Sequence, residues 1–132
     1  MIKKLEIKTN SRSEIIDITD KIQKVISDSK IKSGICIIYV PHTTAGITVN
    51  ENYDPSVRAD ILDYLEKLAP PSTPYRHTEG NADSHIKTSV VGSSATLVIE
   101  EGKILLGSWQ GIMFCEFDGP RTRKLVVKIM EN

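Results

Sequence analysis

The stretch GICIIYV, residues 34–40, has no polar side when it is written as a β-strand. A strand that is apolar on both faces is usually central in its sheet. We therefore predict that this segment lies deep in the core, that Pro41 ends it, and that His42 stands at its exit.

Before this strand, two short runs with apolar residues at every second position surround the polar stretch TNSRS, residues 9–13. This pattern predicts a β-hairpin at the start of the chain. Thr19 or Asp20 is then placed to cap a short helix that ends before Gly34. Its predicted buried face consists of Ile22, Val25 and Ile26.

After the central strand, Asp54 and Pro55 form a typical helix start, with an N-cap residue followed by proline at the first helical position. The predicted buried stripe of this helix consists of Val57, Ile61, Leu65 and Leu68. The stretch PPSTP, residues 70–74, is too rich in proline for a helix and predicts a stiff loop.

The last third of the chain supplies strands at close spacing, in the runs SATLVIE, KILLGSWQ, GIMFCEF and RKLVVKIM. No glycine-rich phosphate loop follows a strand, which argues against P-loop and dinucleotide-binding folds. We predict an α+β class fold: a single domain over residues 1–132, with a mostly antiparallel β-sandwich or barrel-like core and two or three flanking helices.

Composition narrows the functional classes. With 132 residues and 39% apolar content, the chain can form one sizeable core. The 17 basic residues balance the 17 acidic ones, so no net field attracts nucleic acid or an anionic membrane. The first residues lack the apolar run of a signal peptide, and we expect a cytoplasmic protein in which Cys36 and Cys115 are buried, reduced thiols.

The three histidines all fall in polar, turn-like settings: His42, His77 and His85. Neutral imidazole is a common metal ligand, and three of them leave one coordination position open for water or substrate. Gly80 and Asn81 tolerate the tight backbone that would bring His77 back towards His85. The alternative is a solvated loop that happens to carry two histidines, because this spacing is not specific to a metal site.

The stretch CEFDGPRTRK, residues 115–124, is a second candidate site. Strand alternation places Glu116 and Asp118 on one face, and a Gly-Pro turn then presents Arg121, whose guanidinium group suits a phosphate or a carboxylate. The alternative, which the ordinary composition of this turn favours, is that Arg121 is simply paired with Glu116 or Asp118.

A third group of candidates is polar or aromatic and lies at strand ends. An aromatic face beside an amide can hold a heterocycle, although a lone tryptophan is more often a core anchor. These candidates are Trp109 and Gln110 in GSWQG, Thr43 and Thr44 in HTTAG, and Asn50 in VNEN.

Taken together, the motifs YVPHTTAGITVNEN, HTEGNADSHIKTSVVGSS and LLGSWQGIMFCEFDGPRTRK closely resemble the YjbQ-like family of secondary thiamine-phosphate synthases. The resemblance spans nearly the whole chain. It implies a compact α+β fold, assembled as a homotrimer or a dimer of trimers. The implied reaction joins hydroxymethylpyrimidine diphosphate to a thiazole phosphate and releases pyrophosphate.

The same resemblance implies functional roles for the candidate residues. The histidines at 42, 77 and 85 would be metal ligands, with Asn81 beside them and Glu116, Asp118 and Arg121 around the pocket. A bound divalent metal and Arg121 would stabilise the departing pyrophosphate, while Trp109 would stack on the pyrimidine and Gln110 would bond to its ring nitrogens.

The ligand type favours zinc, whereas departure of a diphosphate usually employs magnesium on carboxylate and phosphate oxygens. Two alternatives therefore stay open: a metal-dependent hydrolase of a small phosphorylated or cyclic metabolite, and a non-catalytic trimeric module that binds such a metabolite.

Overall fold

Two antiparallel sheets and three helices form the structure, a computed structural model that describes all residues, 1–132. The strands of the larger sheet are β1 (Ile2–Lys8), β3 (Gly34–Tyr39), β5 (Ser94–Glu100), β6 (Lys103–Ile104) and β8 (Thr122–Glu131). The smaller sheet contains β2 (Glu14–Asp17), β4 (Ala45–Glu51) and β7 (Gln110–Glu116). The helices are α1 (Thr19–Ser29), α2 (Pro55–Leu68) and α3 (Ala82–Val91).

The predicted α+β class with an antiparallel, barrel-like β core is confirmed, since the strands curl into a half-barrel. The larger sheet has the order β1-β8-β3-β5-β6, and the smaller has the order β2-β7-β4. Strand β3 is central, as its composition predicted. None of the three helices has the length and apolar character needed to cross a membrane.

Strand β3 is nevertheless buried on one face only, which corrects the prediction that both faces lie in the core. Cys36 and Ile38 are fully buried, whereas Ile35 and Tyr39 are exposed. The outward face of the larger sheet has no helix over it in the single chain, and apolar side chains on that face therefore remain open to solvent.

The predicted hairpin at the start of the chain is wrong. Strand β1 pairs with β8, and β2 pairs with β7 in the other sheet, so the two strands do not pair with each other. The segment between them is held by other partners: the Thr9 amide donates to the Arg121 carbonyl, and the Asn10 and Ser11 amides donate to the carboxylate of Glu14.

Helix α1 buries Ile22, Val25 and Ile26 as predicted. Its start is stabilised by Asp17, whose Oδ1 accepts from the backbone amide and hydroxyl of Thr19, rather than by a cap from Thr19 or Asp20.

In helix α2, Asp54 caps the Ser56 amide as predicted. Of the predicted stripe, however, only Leu65 is buried, and Leu68 is 60% exposed. The helix therefore covers the smaller sheet with its middle turns, and its last turn leaves the surface.

Strand β7 is buried along nearly its whole length, because its two faces pack against different cores. Ile112 and Phe114 belong to the main core, while Cys115 and Phe117 pack with Leu65 of α2 in a smaller one. Both thiols are buried and unpaired. Burial raises the pKa of Cys36 to about 11 and that of Cys115 to about 12, so both are inert thiols in the structure.

Candidate histidine site

His77 and His85 lie side by side, with ring centroids 5.1 Å apart and ring planes at 89°. The predicted turn-like setting holds for His42 and His77 but not for His85, because α3 begins at Ala82 and His85 is in this helix. Gly80 has φ +85°, a left-handed conformation that suits glycine, and it reverses the chain between the two histidines.

A surface groove of about 490 Å³ runs past these histidines. One hydroxyl anchors its wall, since the Tyr75 hydroxyl donates to the Pro70 carbonyl at 2.7 Å. The groove is lined by Tyr75, Arg76, His77, Ala82, His85 and Ile86. Sequence reasoning missed Arg76, which is exposed and makes no ion pair within the chain. The only feature of the sequence that could have indicated a role for Arg76 is its position directly before His77.

A hydrogen-bonded series connects the groove to the turn after β7. Asn81 Nδ2 donates to Asp118 Oδ2 at 2.9 Å, and the side-chain oxygen Oδ1 of Asn81 lies 3.1 Å from His77 Nε2. Because the amide nitrogen of Asn81 is used by Asp118, its oxygen faces His77 and His77 Nε2 must be the donor. The other ring nitrogen of neutral His77 is then an acceptor.

Asp118 also accepts from Arg121, whose Nη2 lies 2.8 Å from the same carboxylate oxygen and whose Nε donates to the Asp118 carbonyl. The pairing of Arg121 within its own turn, which the sequence left open, is therefore the arrangement observed. Half of the Arg121 side chain remains exposed, so its guanidinium can still meet a ligand.

Glu116 and Asp118 differ in their exposure to solvent. It is completely buried and forms an ion pair with Arg123, while Thr9 and the Asp118 amide also donate to its carboxylate. Burial alone raises the pKa of Glu116, but the hydrogen bonds from Arg123, the Asp118 amide and Thr9 outweigh it and hold the pKa below its usual value. Glu116 therefore lies in a buried ion pair and is not open to solvent, and its catalytic role stays a prediction.

The two threonines of HTTAG also differ. Thr44 is buried, and both its hydroxyl and its carbonyl accept from Arg123, so it belongs to the same ion-pair cluster. Thr43 is exposed at the surface. Of the predicted pair, only Thr43 is accessible to a ligand.

His42 is engaged elsewhere: its Nε2 accepts from the Lys124 amide on β8 at 2.8 Å. Burial, followed by the positive charge of Arg123, lowers the pKa of His42. The ring is therefore neutral, with its proton on Nδ1, and its Nε2 lone pair is already used.

The structure does not assemble the predicted three-histidine metal centre within one chain. No group of three or more His, Cys, Asp or Glu side chains is placed to hold a metal ion. His77 and His85 supply a pair of adjacent imidazoles, whereas the accepting nitrogen of His42 is turned to the backbone of β8.

Trp109, Gln110 and Asn50 lie at the opposite end of the smaller sheet. In the pairing of β4 with β7, Ala45 opposes Glu116 while Glu51 opposes Gln110. Six residues of extended strand span about 20 Å. These three predicted substrate-binding residues are therefore not in the histidine groove of the same chain.

A buried charge network that the sequence did not indicate holds α3 in position. Lys87 is 1% exposed, and its Nζ lies 3.0 Å from Asp83 and 2.6 Å from Glu66 of α2. Asp83 also accepts two hydrogen bonds from Arg12, which reaches the Gly80 carbonyl as well. The network ties α3 to α2 and to the loop before β2.

A family profile and similar known sequences all indicate the same protein family. The profile of the UPF0047 protein YjbQ-like family matches residues 3–132. A UPF0047 protein of Methanocaldococcus jannaschii is 58% identical over 130 residues, covering 98% of this chain and 94% of the relative. The UPF0047 protein YugU of Bacillus subtilis is 50% identical, covering 98% and 99% of the two chains.

Solved structures agree with the fold. A crystal structure of an uncharacterised conserved protein from Clostridium acetobutylicum matches with a TM-score of 0.94 and 49% identity, over 97% of this chain and 99% of that one. A protein of unknown function from Sulfolobus solfataricus matches with a TM-score of 0.95 and 33% identity, over 100% and 97%.

Proposed function

The chain belongs to the YjbQ-like UPF0047 family, and we propose that it is a thiamine-phosphate synthase-like transferase of low activity. The substrates would be hydroxymethylpyrimidine diphosphate and thiazole phosphate, as the sequence resemblance implies. The observation that carries the proposal is the hydrogen-bonded series from Arg121 through Asp118 and Asn81 to His77, which ends in a groove with a free guanidinium at Arg76.

Both substrates are phosphorylated, and the groove is suited to anions. Arg76 has no carboxylate partner within the chain, and the neighbouring imidazole of His85 adds a further donor. Guanidinium groups bind phosphate oxygens in a bidentate manner. Arg76 is therefore the residue that would hold a phosphate or diphosphate group.

In the proposed reaction, the thiazole nitrogen forms a bond to the methylene carbon of the pyrimidine as the bond from that carbon to the diphosphate oxygen breaks. The electron pair of the broken bond leaves with pyrophosphate, so negative charge develops there. Arg76 would stabilise this charge together with a hydrogen bond from the N–H of His85, whose ring packs against that of His77.

Two other functions use the same groove. A metal-dependent hydrolase of a small phosphorylated or cyclic metabolite would need zinc at His77 and His85 with further ligands from the substrate, or magnesium on phosphate oxygens. A non-catalytic module would bind the metabolite at Arg76 without turnover. The chain's own residues do not fit a three-histidine centre.

The test is to incubate the purified protein with both substrates and to measure thiamine phosphate and pyrophosphate by chromatography. Arg76→Gln should lower kcat/KM about 10- to 100-fold, because a hydrogen bond to a charged group contributes about 1.5–3 kcal/mol. Arg58→Gln, which changes another arginine without an ion pair, is the matched control.

Other outcomes separate the alternatives. Pyrophosphate or phosphate formed without the thiazole substrate would favour the hydrolase. Ligand binding that depends on Arg76 without any product would favour the binding module. If Arg76→Gln and His77→Ala both bind and turn over like the unmodified chain, the histidine groove is not the site.

We further propose that the partner of this chain is itself, in the homotrimer or dimer of trimers that the resemblance implies. An apolar row crosses the outward face of the larger sheet, where Met130, Ile35 and Val98 are neighbours on three adjacent strands and all are exposed. Light scattering coupled to size-exclusion chromatography should give three or six chains. Met130→Lys should reduce that number, and Lys128→Met should not.

A further inference from the structure

A second cavity lies at the end of the smaller sheet remote from the histidines. It has a volume of about 450 Å³ and is lined by Glu51, Tyr53, Asp54, Pro55 and Trp109. This cavity shares no residue with the histidine groove.

Two aromatic rings form a corner in this cavity. The ring centroids of Tyr53 and Trp109 are 5.4 Å apart, and the planes meet at 63°. Tyr53 is 76% exposed and Trp109 is 58% exposed, so the rings present their surfaces to solvent instead of filling a core. A lone tryptophan is usually a core anchor, and this one is not.

Two carboxylates without a basic partner border the corner. Neither Glu51 nor Asp54 forms an ion pair with any Lys, Arg or His of the chain. Their hydrogen bonds are to backbone amides: Asp54 accepts from Ser56, and Glu51 accepts from Asp54. Both negative charges therefore remain available to a positively charged ligand.

The backbone on both sides of the corner is fixed. The Asn52 amide donates to the Trp109 carbonyl at 3.0 Å, and the Asn52 side chain donates to Asp17. Gly111 leaves room for the side chain of Asn52, because a Cβ at position 111 would lie 2.3 Å from Asn52 Nδ2. The loop before β7 is closed by the Gly107 amide, which donates to the Gln110 side chain. The rings are thus presented from a preorganised frame.

We propose that this cavity binds a small organic cation with an alkylammonium group, held over the rings of Tyr53 and Trp109 and paired with Glu51 and Asp54. Aromatic faces attract ammonium groups within about 6 Å of the ring centroid, and they do so more strongly when several rings enclose the ligand. The adjacent carboxylates add charge attraction that a neutral ligand of the same shape would lack. The site is independent of the phosphate-binding role of the histidine groove.

The chain offers a direct probe, because Trp109 is its only tryptophan. Intrinsic fluorescence should change saturably when tetramethylammonium chloride is added at constant ionic strength. The neutral molecule tert-butanol, of similar shape, should give no saturable change. Equal responses to the two compounds would overturn the proposal.

Variants test each part of the cavity. Tyr53→Leu should raise the dissociation constant for tetramethylammonium about fivefold. Tyr64→Leu, which changes another exposed tyrosine, should leave that constant unchanged. Asp54→Asn removes the charge but keeps a good helix cap, so the fold is retained. It should weaken binding about threefold or more, whereas Asp60→Asn should not. If neither Tyr53→Leu nor Asp54→Asn alters binding, the cavity is not a cation site.

Discussion

The side-chain amide of Asn81 donates to the carboxylate of Asp118 over 2.9 Å. This contact fixes the orientation of the amide, so that its oxygen faces His77 Nε2 at 3.1 Å. A residue of the turn after β7 therefore determines which ring nitrogen of a histidine in another loop carries the proton.

The tautomers of two histidines are the first prediction. In mildly alkaline solution, neutral His77 should carry its proton on Nε2, because it donates to Asn81, and neutral His42 should carry it on Nδ1, because its Nε2 accepts from Lys124. Long-range proton–nitrogen NMR correlations distinguish the two forms. Asn81→Ala should give a mixture at His77 and leave His42 unchanged; the same form at both rings in the unmodified protein would contradict the assignment.

The buried pair of Glu116 and Arg123 gives a stability prediction. Arg123→Met should lower the free energy of unfolding by about 3–5 kcal/mol, because it leaves a buried carboxylate without its cation. Adding Glu116→Gln should recover most of that loss, since the amide oxygen can accept from the Asp118 amide while the amide nitrogen donates to the Thr9 hydroxyl. Urea unfolding measures both. Equal stability of the single and double variants would mean that Glu116 is not ionised in the folded protein.

The acid sensitivity of the fold follows from Asp83 and Glu116. Burial opposes the ionised form of Asp83, but hydrogen bonds from Arg12 and Lys87 outweigh it and lower its pKa, as those from Arg123, the Asp118 amide and Thr9 do for Glu116. A lowered folded pKa contributes stability above the unfolded value, about 4 for these groups, which is lost as pH falls through the folded value.

The melting temperature should therefore fall as pH decreases below about 4. Asp83→Asn should be destabilised near neutral pH and should approach the unmodified chain as the pH decreases. Asp63→Asn, which changes an exposed carboxylate of α2, is the control and should follow the unmodified curve. A constant gap between the Asp83→Asn and unmodified curves at every pH would show that the charge of Asp83 is not responsible.

Zinc retention tests the ligand set. After equilibration with zinc and removal of the free ion, any zinc held at the histidine site should be lost in His85→Ala. It should be retained in His42→Ala, because the accepting nitrogen of His42 is bonded to the Lys124 amide. Elemental analysis gives the metal per chain. Loss of zinc in His42→Ala with an unchanged melting temperature would restore the three-histidine set predicted from the sequence.

Local rules predicted the parts of the fold that neighbouring residues determine. The cap of Asp54 on Ser56 and the buried face of α1 are contacts within one or two turns of chain, and both were predictable. The pairing of β1 with β8 was not, because a period-two pattern states which residues face the core and does not state which strand lies alongside.

The candidate site divides in the same way. The approach of His77 to His85 depends on a short segment with a glycine, and the sequence indicated it. The ionised form of buried Glu116 depends on Arg123, which lies on β8 in the other sheet, and the availability of Arg76 to a ligand depends on its forming no ion pair. Neither condition can be predicted from the residues that are adjacent to Glu116 or Arg76 in the sequence. Trp109 was assigned to the histidine pocket because motif order carries no information about distance along a strand.

The position of Asn81 at the first residue before α3 has a consequence for protein engineering. Its side chain is occupied by His77 and Asp118, so the helix begins without the side-chain cap that ordinarily contributes about 1 kcal/mol. A laboratory selection for heat resistance alone would favour exchanges at this position, and the most thermostable descendants would be those that had given up the orientation of His77. Selections on this scaffold should therefore check the ring form of His77 in every round.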